Sequence, residues 1–348
     1  MSDSDTESIG SLRRSSSWSS RTDDTTSARG LANLGNTCYI NAALQCIAHC
    51  SPLRKCVKEH KQHHVVYRLM TDVMKKMWSI KSGEEEVVSP DELVHACYEN
   101  MSGVLTPRRQ QDLSEFLMAL LDIGSEMIRP SAVSYNNAKT PVDLMLAKIH
   151  TAYRDCVEAA SPLAQCATLQ TVAQMSCGAC GKKEHRFEHS TMLYVPPLDR
   201  EPLSRCIESA FECETKSDWK CDHCKRCEPS RLSRKLTVLP QVLIVAINRF
   251  NTHMSKVNHE VLVEYELDLS PHCILMPRSS TKRYRLVAMA CHSGSDLHYG
   301  HYYAVAWCGN AWIRYDDECR DVETRNRGVS TGFKSRDAYL AFYTLEEA

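Results

Sequence analysis

Cys38 sits behind a glycine- and asparagine-rich turn, at the mouth of an apolar-striped helix, in the run Gly30-Leu-Ala-Asn-Leu-Gly-Asn-Thr-Cys38-Tyr-Ile-Asn-Ala-Ala-Leu-Gln45. Ile40, Ala43, Leu44 and Ile47 recur at helical spacing, which predicts a helix with one buried face. Asn36 or Thr37 is placed to cap it, so Cys38 falls in the first turn. Backbone N–H groups there carry about half a positive charge and favour a thiolate. The turn before it can aim backbone amides, or the Asn33 side-chain amide, at an oxyanion. The neighbouring Cys46, Cys50, Cys56 and Cys97 read instead as small buried hydrophobes.

At 348 residues the chain can bury a large core, as one elaborate domain or two modest ones. A formal net charge of −1 supplies no bulk field for nucleic acid or anionic membrane, so neither is expected as a partner. No apolar run approaches the ~18 residues of a membrane span, and the polar start lacks the apolar core of a secretory signal. In such a chain the 18 cysteines fit a reducing compartment, with free thiols and a metal site. We therefore expect a cytoplasmic or nuclear protein, acting as a monomer.

Residues 1–28, with ten serines before Ala28 and almost no large apolar residue, read as a disordered tail in which Arg13-Arg14-Ser15-Ser16 resembles a basic-directed kinase site. Ser51-Pro52 marks the end of the Cys38 helix, and a further helix is expected around His64 to Ile80. Ser89-Pro90-Asp91-Glu92 reads as a capping box opening a helix through about Glu99. In Gln110-Gln111-Asp112-Leu113-Ser114-Glu115-Phe116, Asp112 and Glu115 form a cap pair. Leu113, Phe116, Leu117, Leu120 and Leu121 make the stripe behind it. From about residue 165 strands take over: Val242–Ile247 is apolar on both faces, and Tyr284–Met289, Tyr302–Trp307, Ala311–Tyr315 and Ala338–Tyr343 follow. A helical lobe packed on a larger, mostly antiparallel β lobe is an α+β architecture.

A thiol nucleophile needs a base within hydrogen-bond reach, and the base needs an orienting acceptor. His292, His298 and His301 compete for the first role. His301 begins a strand, while His292 and His298 flank a loop. Asp316 and Asp317, after Trp312-Ile-Arg-Tyr315, compete for the second. Strand alternation would let only one of them face the ring, and both also suit a plain turn.

Two C-x-x-C knuckles, Cys177-Gly-Ala-Cys180 and Cys221-Asp-His-Cys224, supply four thiolates for a closed tetrahedral zinc site. Cys227 and His223 rival one ligand position. The 40 residues between the knuckles predict a β hairpin-like extension.

The Cys38 run resembles the cysteine box of the ubiquitin-specific proteases, with every fixed position of G-L-x-N-L-G-N-T-C-Y-x-N-x-x-L-Q filled. Gly300-His301-Tyr302, then Trp312…Tyr315-Asp316-Asp317, resembles that family's histidine box. Gln110 to Leu117 resembles its Q-Q-D-x-x-E-F-L segment. Leu239-Pro240 through Phe250, and Ala338-Tyr-Leu340-Ala-Phe342-Tyr343, resemble its later strands. Asn248 departs from the family's usual lysine. The resemblance covers about residues 29–345. It implies a papain-like cysteine protease with a helical thumb (about 29–160), zinc-bound β fingers (about 165–240) and a β-rich palm (mostly 241–345).

The same resemblance implies a deubiquitinase that cuts after the C-terminal glycine of ubiquitin. Cys38 would be the nucleophile, His301 the general base and Asp316 the third member, with Asn33 at the oxyanion and Asp317 as polar support. Asp112 and Glu115 would face the basic tail of ubiquitin, and Cys177, Cys180, Cys221 and Cys224 would hold structural Zn2+. Ubiquitin and ubiquitinated proteins are the implied partners. An inert ubiquitin-binding relative, or a protease for another ubiquitin-like modifier, is the alternative. The loops at about Pro271–Lys282 and Ser293–Tyr299 would flank the substrate channel.

Overall fold

A computed structural model describes residues 28–79, 87–124, 140–157, 160–253, 255–274, 281–297, 299–325 and 331–346. The serine-rich tail before Ala28, the centre of the 271–282 loop and His298 lie outside the described residues.

The first third is helical. Strand β1 (Gly30–Leu31) leads into α1 (Cys38–His49), then α2 (Ser51–Glu59), α3 (Val65–Trp78), β2 (Val87–Val88), α4 (Asp91–Asn100), α5 (Leu113–Asp122), α6 (Pro141–Val157) and α7 (Pro162–Ala167). Ser51-Pro52 closes α1 and opens α2 at once, since proline in a first turn has no N–H to leave unpaired. The expectation of one buried face on α1 is too narrow: every residue from Cys38 to Ala48 is buried. It is a central helix, clasped by α2 and α5 on one side and by the large sheet on the other.

Caps follow the sequence unevenly. Asp112 caps α5 as expected, accepting from the N–H groups of Ser114 and Glu115. Neither Asn36 nor Thr37 caps α1 through its side chain. Thr37 is the boundary residue, but its hydroxyl accepts from Leu34 N–H at 2.9 Å and so tightens the turn instead. Nor does Ser89 cap α4: Pro90 holds the boundary, and Ser89 Oγ donates to the Asp91 carboxylate.

The middle of the chain contains β3 (Leu169–Ser176), β4 (Lys183–Ser190), β5 (Leu193–Val195), α8 (Leu203–Ala210), β6 (Glu214–Lys216) and β7 (Ser230–Val238). Four of these strands form one antiparallel sheet in the order β4-β3-β7-β6. The two C-x-x-C knuckles are its turns, one joining β3 to β4 and the other joining β6 to β7. No single hairpin spans the gap between them. The chain instead leaves the sheet after β4, contributes β5 elsewhere, forms α8 and returns as β6.

The last third supplies β8 (Val242–Ile247), β9 (Val261–Glu264), β10 (Glu266–Asp268), β11 (Arg283–Gly294), β12 (Gly300–Trp307), β13 (Ala311–Asp316), β14 (Cys319–Arg325), β15 (Gly332–Ser335) and β16 (Ala338–Leu345). The large sheet runs β14-β13-β12-β11-β16-β8-β5, with β10 added beside β11. Strand β5 pairs in parallel with β8, so part of the 165–240 stretch expected in the fingers belongs to the palm sheet. Both faces of this sheet are covered. Val242, Ile244 and Ala246 pack with the helical lobe, while Leu243, Val245 and Ile247 join a second core with α8 and β9. That is why β8 is apolar at every position. A helical lobe on one face, α8 with β9 on the other, and an antiparallel-dominated sheet give the α+β fold.

Candidate active site

Helix α1 and the β12–β13 hairpin meet at the front of the large sheet and bring the distant boxes together. Cys38 is 4% exposed, in the first turn of α1. Its own N–H has no intrahelical carbonyl to bond, because a helix leaves its first N–H groups unpaired. Before it, Gly35 (φ 95°) and Asn36 (φ 57°) both adopt left-handed backbone, which folds the turn back over the helix start.

His301 is the histidine that faces the thiol. Its Nε2 lies 2.5 Å from Asp316 Oδ1, and the Cys38 thiol is the neighbour that bears most on its ring. With Nε2 taken by the carboxylate, Nδ1 is the nitrogen left for the sulfur. The contact with Cys38 first, and Asp316 after it, outweigh lost hydration and hold the imidazole up at about 9. Burial pushes Asp316 up, but its bonds to His301 and Arg314 prevail and leave it below the usual carboxylate range.

His292 lies in a different setting. It is fully buried on β11, where desolvation first and the nearby Lys256 next depress its pKa to about 4. Its ring is wedged between Phe250 and Tyr302, with centroids 5.3 and 4.7 Å away. It also explains Gly300: a Cβ there would sit 2.2 Å from His292 Nε2 and 2.7 Å from Ser293 O. Gly300→Ala is therefore expected to cost about 1–3 kcal/mol by overpacking. It should also displace the adjacent His301 and slow alkylation of Cys38 by iodoacetamide. Denaturant unfolding and peptide mass spectrometry check this, and wild-type values in both would refute the tight-contact argument.

Alternation does not decide between the two aspartates. Strand β13 ends at Asp316, and Asp317 turns out of it with φ 51°. Its carboxylate still reaches within 3.8 Å of His301 Nε2, but its short bonds go elsewhere. Asp317 Oδ2 accepts from Asn33 Nδ2 at 2.7 Å and Oδ1 from Asn41 Nδ2 at 2.8 Å. Burial raises its pKa despite those two donors. Asp317 thus fixes the Asn33 amide directly, without an intervening water. The turn is drawn in by β1: Leu31 N–H donates to Asp317 O, and a Cβ on Gly30 would lie 2.2 Å from Glu318 O.

Asp112 and Glu115 part company. Asp112 is buried and accepts from Ser114, from Glu115 N–H and from Tyr339 Oη at 2.6 Å, so it locks α5 to β16. Glu115 is exposed one turn further on. Gln110 Nε2 donates to Gly300 O at 2.7 Å and so ties this segment to the histidine strand. Sequence reasoning missed Asn41, Gln110 and Arg314. Asn41 had a signal: with Gln45 it forms a carboxamide pair one turn apart on an otherwise apolar helix, and buried amides need partners.

At the far end, the sulfurs of Cys177, Cys180, Cys221 and Cys224 all lie within 4.8 Å of one another. Cys177 to Cys224 is 3.7 Å and Cys180 to Cys221 is 3.8 Å. Four ligands at about 2.3 Å around a tetrahedral ion require edges of about 3.8 Å, and these two edges match that length. The knuckles are the same turn twice. Cys177 N–H bonds Lys182 O and Cys221 N–H bonds Arg226 O, with Gly181 and Lys225 both left-handed. The rivals fall away: Cys227 donates to Ser217 O, and neither it nor His223 joins the cluster. Amides of the first knuckle, that of Cys180 foremost, lower the Cys177 thiol to about 7.

A family model described as ubiquitin carboxyl-terminal hydrolase matches residues 29–343. Among curated relatives, ubiquitin carboxyl-terminal hydrolase 17-like protein B of Mus musculus is 24% identical over 91% of this chain and 64% of its own length. Ubiquitin carboxyl-terminal hydrolase 21 of Mus musculus is 27% identical over 91% of this chain and 61% of its own length. The chain therefore spans less than two thirds of these relatives. In fold it resembles a chain of the SAGA Ubp8/Sgf11/Sus1/Sgf73 DUB module bound to ubiquitin aldehyde, with TM-score 0.68 and 17% identity over 93% of this chain and 70% of that one. With the family model spanning nearly all of both lobes and the sheet between them, the chain belongs to the ubiquitin carboxyl-terminal hydrolase family.

Proposed function

We propose that this protein is a thiol-dependent deubiquitinase, hydrolysing the isopeptide or peptide bond after the C-terminal glycine of ubiquitin. The observation that carries the reading is His301, held at Nε2 by Asp316 with its other nitrogen free for Cys38, within a chain of this family. The Cys38 thiolate attacks the glycine carbonyl. The developing oxyanion is held by the Cys38 N–H and the second hydrogen of Asn33 Nδ2, whose first is spent on Asp317. Loss of one such donor typically costs about 2.7–4 kcal/mol of barrier. His301 gives its proton to the leaving amine, and then draws one from the water that hydrolyses the thioester. In this reading exposed Glu115 meets the basic tail, while Asp112 shapes the helix that presents it. The four knuckle cysteines would hold a structural zinc ion, which supplies a cross-link between two hairpins and no chemistry at Cys38.

The test is a ubiquitin bearing a C-terminal electrophile. The wild type is expected to form a covalent adduct and Cys38→Ser to form none. Adduct formation by that variant would remove Cys38 from the mechanism. Probes built on other ubiquitin-like modifiers, run beside it, decide which tail the channel takes.

A further inference from the structure

Asp316 has a second charged partner. Arg314, two residues earlier and on the same face of β13, donates from Nη2 to Asp316 Oδ2 at 2.8 Å, leaving Oδ1 to His301. Its guanidinium lies over the Tyr303 ring, with Cζ 3.9 Å from the centroid. Tyr303 is held in turn: its hydroxyl donates to Asp337 Oδ2 at 3.3 Å, and Asp337 Oδ1 pairs at 2.7 Å with Lys256, whose side chain is 1% exposed. Lys256 N–H bonds Ser295 O, so the chain of contacts ends in the loop that follows β11.

We propose that Arg314 is a positioning residue for His301, fixing the Asp316 carboxylate so that Oδ1 faces the imidazole, with Tyr303 as the platform that holds the guanidinium. The proposal rests on the thiol-hydrolase reading. Asp316 is part-exposed near the end of its strand, where one bond to histidine leaves the carboxylate free to rotate. A charged bond to the other oxygen removes that freedom. The same cation opposes protonation of His301. Arg314 therefore leaves two signatures of different sign: it aids turnover by geometry and lowers the imidazole pKa by charge. The other groups bearing on the pair are Cys38 from α1, Asp317 and Glu318 from the turn, Glu323 from β14, and Tyr303 with Asp337 and Lys256 behind it.

The experiment uses the full chain and two readouts. One is kcat and KM on a ubiquitin C-terminal ester or amide. The other is the pH dependence of Cys38 alkylation by iodoacetamide, read on the Cys38 peptide, which needs no ubiquitin. Arg314→Gln is expected to lower kcat about fivefold to twentyfold with KM within about twofold, as misplacement of a catalytic group does. It should also raise the alkaline limb of both profiles by about 0.3–0.5 pH units, as removal of a nearby cation does. Arg314→Lys keeps the charge without the fork, so its limb returns to the wild-type position while kcat recovers in part. Tyr303→Leu lowers kcat as Arg314→Gln does, and Tyr303→Phe, which keeps the ring, loses less. Wild-type kcat in Arg314→Gln, or a lower kcat with an unmoved limb, would overturn the proposal. A shifted alkylation limb in a protein that never turns over ubiquitin would instead overturn the functional reading and leave Arg314 in its role.

Discussion

Asp316→Asn is expected to lower kcat by about 10²–10⁴-fold, the range spanned by loss of acid–base catalysis and of tautomer control. Arg314 makes the effect severe. An asparagine there must offer its carbonyl oxygen to the Arg314 guanidinium, because guanidinium cannot accept a hydrogen bond. Its NH₂ then points at His301 Nε2, which must become an acceptor and leave the ring proton on Nδ1, beside the sulfur. That tautomer cannot take a proton from the thiol. The pH profile gives an independent check. His301 is raised to about 9 from an ordinary 6.5, so the charged imidazole is retained through neutrality and lost as pH rises through about 9. Asp316 is one of the groups that raise it, so its neutralisation moves the alkaline limb of kcat/KM downward. Retention of kcat within tenfold, with an unmoved limb, would transfer the orienting role to Asp317, 3.8 Å from the same nitrogen.

How far the sequence announced this arrangement depends on the range of the interaction. Val242–Ile247 was legible to the residue because a strand covered on both faces has no polar position to blur its ends. The Asp112 cap was legible because it is local, made with N–H groups two and three residues on. Thr37 and Ser89 carry the same signal yet cap nothing, since a nearer donor or acceptor claims each hydroxyl. Residue spacing does not encode such competition. Cys38, His301 and Asp316 could be singled out from their boxes, but the commitments of Asp317 could not. They depend on a left-handed residue in the turn after β13 and on the close approach of Gly30, and the second arises only once β1 docks. Strand β5 gives no signal in the sequence for a similar reason. Its three residues fix no partner by themselves, and the parallel pairing with β8 is decided by the second core.

Replacing Cys221 and Cys224 together with serine is expected to abolish bound zinc and lower the unfolding midpoint by more than about 5 °C, because a metal that binds only the folded state contributes its binding energy to folding. The four-stranded sheet has little else to hold its tip. Along β4 no position is fully buried, and on β7 only Ser230, Leu232 and Leu236 are. Apolar burial therefore closes the base of this sheet and leaves the two knuckle turns dependent on their thiols. Two pairs of those thiols, Cys177 with Cys224 and Cys180 with Cys221, sit at tetrahedral edge lengths. Cys38, His301 and Asp316 lie on other elements. Alkylation of Cys38 should accordingly keep its pH profile in the double variant. Zinc analysis of the purified protein, thermal unfolding with and without chelator, and the alkylation profile separate these effects. One equivalent of zinc surviving in the double variant would assign the metal to other residues. An unchanged unfolding midpoint after the zinc is lost would show that the hairpins hold each other without it.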